Sequence, residues 1–223
     1  MSSDFRYKAV IFDLDGTLID SLEDLTDAVN KALELRHLPL HTVEQCRTMV
    51  GHGVRNLVRN ALPEELRGDE TLLDACLADF KDWYSSHIDI HTHPYDGIVP
   101  LLEDLSDAGV KLSVASNKYQ AGVEQLVRKL FPGIRFAALL GNRPGYPLKP
   151  DPQIVSLALE ASGVSKHNCV MVGDSPTDLR TAANSSVDAI AVSWGYRKRE
   201  EILSAFPDAS IADSVSELRR MIK

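Results

Sequence analysis

The sequence predicts an α/β fold in which a parallel β-sheet forms the core and an all-helical domain is inserted into it. Two features of the chain lead to this prediction. From residue 97 onward, apolar runs of strand length alternate with segments of helical periodicity, whereas residues 20–93 show helical periodicity alone. The apolar runs are continuous rather than alternating with polar residues, which is typical of parallel strands covered on both faces.

The individual elements follow from the same patterns in chain order. Strands are predicted at residues 9–12, 112–115, 137–140, 169–172 and 189–192. Helices are predicted in the insertion at residues 22–33, 54–62 and 72–83, and after it at residues 99–108, 121–130, 153–161, 178–184 and 215–222. A turn at residues 94–97 closes the insertion. We therefore predict a core domain of residues 1–19 and 94–223 and a smaller helical domain of residues 20–93.

The composition excludes several classes of function. The chain has 223 residues, of which 44% are hydrophobic, and can bury a sizeable core. Its net charge of -8 disfavours nucleic acids and anionic membranes as partners, because both require a basic surface. No window approaches the roughly 20 consecutive apolar residues of a membrane helix, so we expect a cytoplasmic protein without membrane attachment. Three well-separated cysteines indicate neither a disulfide framework nor a zinc site.

The first predicted strand runs directly into two acidic residues, in the stretch YKAVIFDLDGTLIDS at residues 7–21. In open α/β sheets the ligand crevice lies at the carboxyl ends of the strands, where Asp13 is expected. Asp13 and Asp15 are two residues apart and project to the same side of an extended chain. Neighbouring carboxylates repel each other unless one is protonated or a cation lies between them, and Mg²⁺ prefers such oxygen ligands. The alternative is an acidic pair that only ends the strand or caps the next helix.

Three further segments carry matching chemistry. Ser116 and Asn117 follow the second strand and can donate hydrogen bonds to phosphate oxygens. Lys149 lies between prolines, which suits a fixed cation, although a helix start with proline in its first turn has the same pattern. The segment GDSPTD follows an apolar strand and contains a second acidic pair, Asp174 and Asp178. Together the four segments favour one site that handles phosphate.

These segments resemble the motifs of the haloacid dehalogenase superfamily of phosphohydrolases, in the family's order and over nearly the whole chain. DLDGTLIDS is similar to the first motif, SNK to the second, LKPDP to the third and GDSPTD to the fourth. The resemblance implies a Rossmann-like core with a mobile helical cap, Mg²⁺ as the cofactor and a small phosphorylated metabolite as the substrate. For the oligomeric state we expect a monomer or a homodimer.

The same resemblance implies roles for individual residues. Asp13 is expected to be the nucleophile that forms an aspartyl-phosphate, while Asp15 protonates the leaving oxygen and then activates water. Mg²⁺ is expected to bind Asp13, the main-chain carbonyl of Asp15 and Asp174. Lys149 is expected to be catalytic and to hold the phosphoryl group. The full set expected around the phosphate is Gly16, Thr17, Ser116, Asn117 and Lys149, and the residues expected to support the site from behind are Asp178 and Ser175.

The helical insertion suggests the substrate. Residues 48–62 are similar to the cap of phosphoglycolate phosphatases, so hydrolysis of phosphoglycolate is the predicted reaction. Arg55 is expected in the first turn of a cap helix, where its planar guanidinium could hold the carboxylate of this substrate. The alternative for Arg55 is an exposed side chain paired with an acidic neighbour. His52 could also face the substrate, or only cap the helix.

Other activities stay open at this point. Similar caps occur in pyrophosphatases, nucleotidases and sugar phosphatases of the same superfamily, and β-phosphoglucomutase is the competing mutase. A dehalogenase is disfavoured, because that branch lacks the second carboxylate that Asp15 supplies here. A phospho-accepting signalling domain is also disfavoured, because such domains accept phosphate after a later strand and have no inserted cap.

Overall fold

The computed structural model describes residues 5–223, which form eight strands, ten α-helices and two short 3₁₀ turns, Glu64–Leu66 and Lys166–Asn168. The strands are β1 (Ala9–Phe12), β2 (Ile19–Asp20), β3 (His93–Pro94), β4 (Lys111–Tyr119), β5 (Phe136–Asn142), β6 (Cys169–Gly173), β7 (Asp188–Val192) and β8 (Ile211–Ala212). The helices are α1 (Leu22–Glu34), α2 (Val43–Arg47), α3 (Val54–Ala61), α4 (Glu70–His87), α5 (Ile98–Asp107), α6 (Gln120–Leu130), α7 (Gln153–Ser162), α8 (Pro176–Ser185), α9 (Arg199–Ala205) and α10 (Val215–Ile222). No helix in this part of the chain is both long and apolar enough to cross a bilayer.

Six strands form one parallel sheet in the order β5-β4-β1-β6-β7-β8, which confirms the predicted fold class. β1 lies between β4 and β6, and its last residue, Phe12, pairs with Val114 on one side and Val172 on the other. Because these three strands are in register, their carboxyl ends meet at one edge of the sheet. The polar segments that follow them are therefore brought together.

Alternate residues of β1 enter two different hydrophobic clusters. Val10 and Phe12 pack into the cluster that includes the buried faces of α5, α6 and α10. Ala9 and Ile11 pack into the cluster that includes α7. This two-sided burial explains why the strand sequence AVIF is apolar at every position. It also fixes the direction in which the next residue, Asp13, leaves the sheet.

Helices α1–α4 form a separate layer over the carboxyl edge of the sheet, which we call the cap. Its interior is built from residues of α1 and α4 at helical spacing, namely Leu25, Ala28, Val29, Leu33, Leu73, Cys76, Phe80 and Tyr84, all of them buried. The largest of these side chains are Phe80 and Tyr84, whose ring centroids lie 5.3 Å apart. The insertion is thus helical, and its apolar residues join the same hydrophobic cluster as Val10 and Phe12 of β1.

The two chain segments that join the cap to the sheet run side by side. β2 and β3 pair antiparallel, with Ile19 opposite Pro94. At the start of α1 the buried carboxylate of Asp24 accepts hydrogen bonds from the main-chain N–H of His91 and from both the N–H and the hydroxyl of Thr92. The boundaries predicted after residue 19 and before residue 94 fall on this ribbon.

Several elements lie outside the sequence prediction. β2, β3 and β8 have two residues each and α2 has five, which is too short to produce a periodic pattern. α9, which begins at Arg199, has seven residues and was not predicted. β4 continues beyond its predicted end at residue 115 to Tyr119, with a shift in register after Ala115. Ser116, Asn117 and Lys118 therefore lie in a distorted stretch of strand.

Candidate active site

A cavity of about 60 Å³ lies between the carboxyl edge of the sheet and the cap. The side that faces the sheet is polar and includes Asp13, Asp15, Ser116, Lys149 and Asp174. The side that faces the cap is mainly apolar and includes Val50, Val54, Leu57, Phe80 and Tyr84. An apolar cover excludes water and so strengthens electrostatic interactions among the polar groups beneath it.

Asp13, the first residue after β1, is buried at the centre of this polar surface. Its Oδ1 accepts a hydrogen bond of 2.7 Å from the main-chain N–H of Leu14 and lies 2.8 Å from Nζ of Lys149. Burial raises the pKa of Asp13 to about 7, although the charge of Lys149 opposes this increase. The carboxylate is thus held in one orientation beside a cation, a suitable arrangement for nucleophilic attack.

Lys149 is held between two carboxylates. Its Nζ donates a hydrogen bond of 2.7 Å to Oδ1 of Asp178 and also contacts Asp13. The other oxygen of Asp178 accepts hydrogen bonds from the main-chain N–H and the hydroxyl of Ser175, at 3.1 and 2.6 Å. Burial alone would lower the pKa of Lys149, but the charges of Asp13 and Asp178 outweigh burial and raise it above its ordinary value. Ser175, Asp178 and Lys149 therefore form a connected chain that ends at Asp13.

Asp174, the first residue after β6, brings a further carboxylate to the same place. Its Oδ2 accepts a hydrogen bond of 2.7 Å from the main-chain N–H of Tyr196. Burial, together with the neighbouring charges of Asp178 and Asp13, raises the pKa of Asp174 to about 8. Such an increase shows that the surroundings disfavour several negative charges at this point unless a cation is present.

The donor set fits a hard divalent cation. Carboxylate oxygens of Asp13, Asp174 and Asp178 all lie within 4.8 Å of one another. The backbone around them is shaped for this approach, since a Cβ at Gly16 (φ +84°) would lie 2.5 Å from Oδ2 of Asp174. Because Lys149 and Ser175 already engage both oxygens of Asp178, Asp13 and Asp174 are the carboxylates best placed to coordinate an ion.

The carboxylate of Asp15 has different partners from that of Asp13. Its Oδ1 accepts hydrogen bonds from the hydroxyl of Ser21, at 2.5 Å, and from Nζ of Lys118, at 3.0 Å. No other residue in the range 5–223 hydrogen-bonds to this carboxylate, so Oδ2 keeps its lone pairs for a ligand. Asp15 also lines the cavity, which places it within reach of a bound molecule.

Comparison with known proteins identifies the family of the chain. Residues 10–192 match the haloacid dehalogenase-like hydrolases. The chain belongs to this family. A phosphoglycolate phosphatase of Rhodospirillum rubrum is 36% identical over 217 residues, covering 92% of this chain and 90% of that protein. A phosphoglycolate phosphatase of Mesorhizobium japonicum is 35% identical over 191 residues, covering 85% of this chain and 84% of the relative.

The fold of this haloacid dehalogenase-like hydrolase also has a match among solved structures. The crystal structure of a candidate phosphoglycolate phosphatase from Lactobacillus delbrueckii subsp. bulgaricus superimposes with a TM-score of 0.90 at 37% identity. The match covers 97% of this chain and 98% of that one. The resemblance drawn from the four sequence motifs is thereby confirmed.

Three of the residues expected around the phosphate have donors that other groups engage. Both amide hydrogens of Asn117 are engaged by main-chain oxygens of Gly51 and Lys149, and its Oδ1 accepts from the N–H of Lys149. The N–H of Gly16 donates to Ile19 and that of Thr17 to Leu14, whereas the buried hydroxyl of Thr17 has no partner among residues 5–223. The engaged N–H groups are therefore not free for phosphate in this structure. Asn117 instead ties the Lys149 loop to the cap, and Gly16 allows Asp174 to approach.

Ser116 remains available as a phosphate donor. It is buried, lines the cavity, and its Oγ accepts a hydrogen bond of 3.2 Å from the main-chain N–H of Lys118. Within residues 5–223 its own hydroxyl proton has no acceptor. A buried hydroxyl with an unused proton, facing the same cavity as Lys149, is well placed to donate to a phosphoryl oxygen.

The expectation that Arg55 faces the crevice is not met. Arg55 pairs with Glu70 at 2.6 Å and with Asp74 at 2.5 Å on the outside of the cap, and 44% of its side chain is exposed. It is absent from the lining of the cavity, whereas its neighbours Gly53 and Val54 are present there. His52 is also exposed and borders an adjoining open groove, which shares Gly51, Ser175, Thr177 and Arg197 with the cavity. Arg55 is therefore not placed to contact a substrate in this structure.

Three residues of the site were missed in the sequence prediction. Lys118 belongs to the SNK motif but has no role in that prediction, and Tyr84 and Arg197 are absent from it, although all three line the cavity. The guanidinium of Arg197 donates to the carbonyls of Arg47 and Val50, at 2.7 and 2.5 Å. The position of Lys118 near the carboxyl end of β4 could have indicated a role at the site. No local pattern of the sequence reveals the partners of Arg197.

Proposed function

We propose that this protein hydrolyses small phosphate monoesters with Mg²⁺, through an aspartyl-phosphate formed on Asp13. The observation that supports this proposal most directly is the buried contact of 2.8 Å between Lys149 Nζ and Asp13 Oδ1. It pairs a nucleophile with a cation that can bind the transferred group. Phosphoryl transfer depends mainly on positioning and on charge stabilisation, and both are present here.

In the first step a carboxylate oxygen of Asp13 attacks phosphorus, and the bond between phosphorus and the ester oxygen breaks. Asp15, two residues further on, gives its proton to the departing alkoxide. In the second step Asp15 takes a proton from water, which attacks phosphorus and releases phosphate and the Asp13 carboxylate. Lys149 and the hydroxyl of Ser116 bind phosphoryl oxygens throughout. Using the same group as acid and then as base is ordinary covalent catalysis.

The metal requirement follows from the charges at the site. Asp13, Asp174 and the main-chain carbonyl of Asp15 would hold Mg²⁺, which would offset the negative charge of the phosphoryl oxygens when bound. The close approach of the carboxylate oxygens of Asp13 and Asp174, within 4.8 Å of each other, supports this assignment, because neighbouring carboxylates repel each other unless a cation lies between them. In this proposal Asp178 orients Lys149 through a hydrogen bond, and Ser175 in turn orients Asp178.

For the substrate we propose 2-phosphoglycolate. Two phosphoglycolate phosphatases that are 35% and 36% identical to this chain, over 85% and 92% of it, support this choice. With Arg55 turned outward, the structure offers no cap arginine for the substrate carboxylate. Pyrophosphate, nucleotides and sugar phosphates therefore belong in the same test.

The test is a panel of phosphate monoesters assayed with Mg²⁺ and after exhaustive chelation. We expect the highest kcat/KM for 2-phosphoglycolate and no turnover of any ester in the chelated enzyme. A higher kcat/KM for pyrophosphate or for a nucleotide would overturn the substrate. Undiminished turnover after chelation would overturn the metal requirement.

A further inference from the structure

Lys118 is a second buried cation at this site, and Lys149 does not share its partners. Only 4% of its side chain is exposed, and its Nζ lies 3.0 Å from Oδ1 of Asp15. The same Nζ donates a hydrogen bond of 2.8 Å to the hydroxyl of Tyr84. Lys149 forms ion pairs with Asp13 and Asp178, whereas Lys118 forms an ion pair with Asp15. The two lysines therefore hold the carboxylates of Asp13 and Asp15 separately.

The hydrogen bond to Tyr84 crosses from the sheet to the cap. Lys118 lies in β4, whereas Tyr84 lies in α4, where it packs on Phe80 and meets the ring of Tyr119 edge-on. Burial raises the pKa of Tyr84 well above its ordinary value, so its hydroxyl stays neutral and accepts from the ammonium. A shift of α4 away from the sheet would leave the buried ammonium without one of its acceptors, which is unfavourable.

The partners of Asp15 divide its carboxylate into an anchored oxygen and an open one. Oδ1 is fixed by Ser21 and Lys118, whereas Oδ2 has no hydrogen bond from residues 5–223. A group that transfers protons needs one oxygen free for the reacting atom, and a fixed orientation increases the rate of transfer. A purely structural ion pair would not need to line the cavity, yet Asp15, Lys118 and Tyr84 all do.

We infer that Lys118 is a positioning residue that anchors Oδ1 of Asp15, so that Oδ2 faces the leaving group, and that Tyr84 makes this alignment depend on the closed position of the cap. The inference rests on the proposed function, because it assigns the role of acid and base to Asp15. It adds a physical link between cap closure and proton transfer. Proton transfer is thereby confined to the state in which the cap excludes water.

The test compares Tyr84→Phe, Lys118→Met and the double variant on two substrates. An alkyl phosphate such as 2-phosphoglycolate needs protonation of its leaving group, whereas p-nitrophenyl phosphate needs little. We expect Lys118→Met to lower kcat for the alkyl ester about 100-fold and for the aryl ester less than about 10-fold, with KM changed little. Tyr84→Phe should act in the same direction by about 5- to 10-fold. The double variant should be no slower than Lys118→Met, because both changes break one chain of contacts.

Tyr7→Phe provides the matched control. Tyr7 is a buried tyrosine whose hydroxyl donates a hydrogen bond of 2.7 Å to Asp188, remote from the cavity. Its substitution removes a comparable hydroxyl and should leave kcat unchanged for both esters. Tyr84→Phe keeps the ring and its packing, so it tests the inference even if Lys118→Met does not fold.

Three results would overturn the inference. The first is an equal loss of kcat for the two esters in Lys118→Met. The second is a loss of kcat in the double variant equal to the product of the two single losses. The third is an increase in KM with kcat unchanged in Lys118→Met, which would make Lys118 a substrate-binding group. In each case the wild-type enzyme still hydrolyses monoesters, so the proposed function stands. A wild-type protein that hydrolyses no monoester would overturn both.

Discussion

The ammonium of Lys149 donates a hydrogen bond of 2.7 Å to Asp178, and each of these side chains is only 2% exposed. Asp178 lies in the first turn of α8, whereas Lys149 belongs to the loop before α7. The carboxylate at the start of α8 therefore fixes the position of the ammonium in the loop before α7. A buried ion pair contributes to stability only while both partners are present, because either charge alone is strongly disfavoured.

Replacing Asp178 by Asn should therefore reduce both stability and activity. The amide has one acceptor oxygen, so a donor of either Lys149 or Ser175 would face the NH₂ group. We expect the free energy of unfolding to fall by about 3 kcal/mol and kcat by about 10- to 100-fold. Denaturant titration and steady-state kinetics measure these effects. Asp104→Asn, which breaks the exposed pair with Arg219, is the control and should change neither quantity appreciably.

Asp13→Asn should abolish turnover while the protein remains folded. The substitution is nearly isosteric, and Lys149 keeps Asp178 as a charged partner, so the fold should be retained. We expect kcat to fall by at least about 10⁴-fold, as is typical when a nucleophile is removed. Acid quenching during turnover should trap phosphate on the wild-type chain and none on the variant. Equal labelling of both proteins would exclude Asp13 as the nucleophile.

The stability of the protein should depend on Mg²⁺ in a manner set by pH. Burial raises the pKa of Asp13 to about 7 and that of Asp174 to about 8. A carboxyl group whose pKa is higher in the folded than in the unfolded protein binds its proton more tightly in the folded state. Its contribution to stability is fully present below the unfolded pKa of about 3.9. This contribution is lost as the pH rises through the folded-state pKa. The melting temperature of the chelated protein should therefore fall as the pH rises from about 4 to 8.

Mg²⁺ should reverse this loss of stability. At pH 8 and at 100 times its Kd, it should raise the melting temperature by about 5–10 °C. At pH 5 the increase should be much smaller, because protons compete for the same oxygens. Calorimetry of the wild type and of Asp174→Asn would test this, since the variant should lose most of the increase at pH 8. An equal increase at both pH values would place the ion elsewhere.

The sequence predicted the parts of the fold and site that depend on local patterns. β1 has the predicted bounds, and Asp13, Lys149 and Asp174 meet as expected because parallel strands bring their carboxyl ends together. The sequence could not show which hydrogen-bonding groups are already engaged. Asn117 carries the right chemistry for phosphate, yet its side-chain NH₂ group donates to carbonyls 32 and 66 residues away along the chain.

The same limit applies to the cap. A guanidinium in the first turn of α3 is unfavourable for the helix dipole, which suggested a role for Arg55 in binding. The structure gives another reason for this residue, since the acidic Glu70 and Asp74 of α4 lie against it. Helix packing, which no local pattern encodes, decided between the two interpretations.

Arg55→Lys should consequently have little effect on substrate choice. The variant keeps the charge beside Glu70 and Asp74, and exposed ion pairs contribute about 1 kcal/mol or less to stability. We expect kcat/KM for 2-phosphoglycolate and for p-nitrophenyl phosphate to stay within about twofold of the wild type. A selective loss for 2-phosphoglycolate would show that Arg55 turns into the cavity when substrate binds.

Arg197→Met should weaken the closed position of the cap. Arg197 lies in the segment between β7 and α9, and its guanidinium donates to the carbonyls of Arg47 and Val50 in the cap. Hydrogen bonds from a charged donor contribute about 1.5–3 kcal/mol each, so losing both should shift the population toward the open cap. The apparent affinity for substrate falls with the fraction of closed protein.

We therefore expect Arg197→Met to lower kcat/KM about 10- to 100-fold for alkyl and aryl esters alike, since closure precedes the chemistry of both. This equal loss distinguishes Arg197 from Lys118, whose substitution should affect the alkyl ester more. Arg199→Met is the matched control: Arg199 is two residues away, and its guanidinium forms an exposed pair with Asp213. Limited proteolysis should cut the segment between α2 and α3 faster in Arg197→Met than in Arg199→Met. Equal cleavage and equal kinetics in the two variants would show that the contacts of Arg197 do not hold the cap closed.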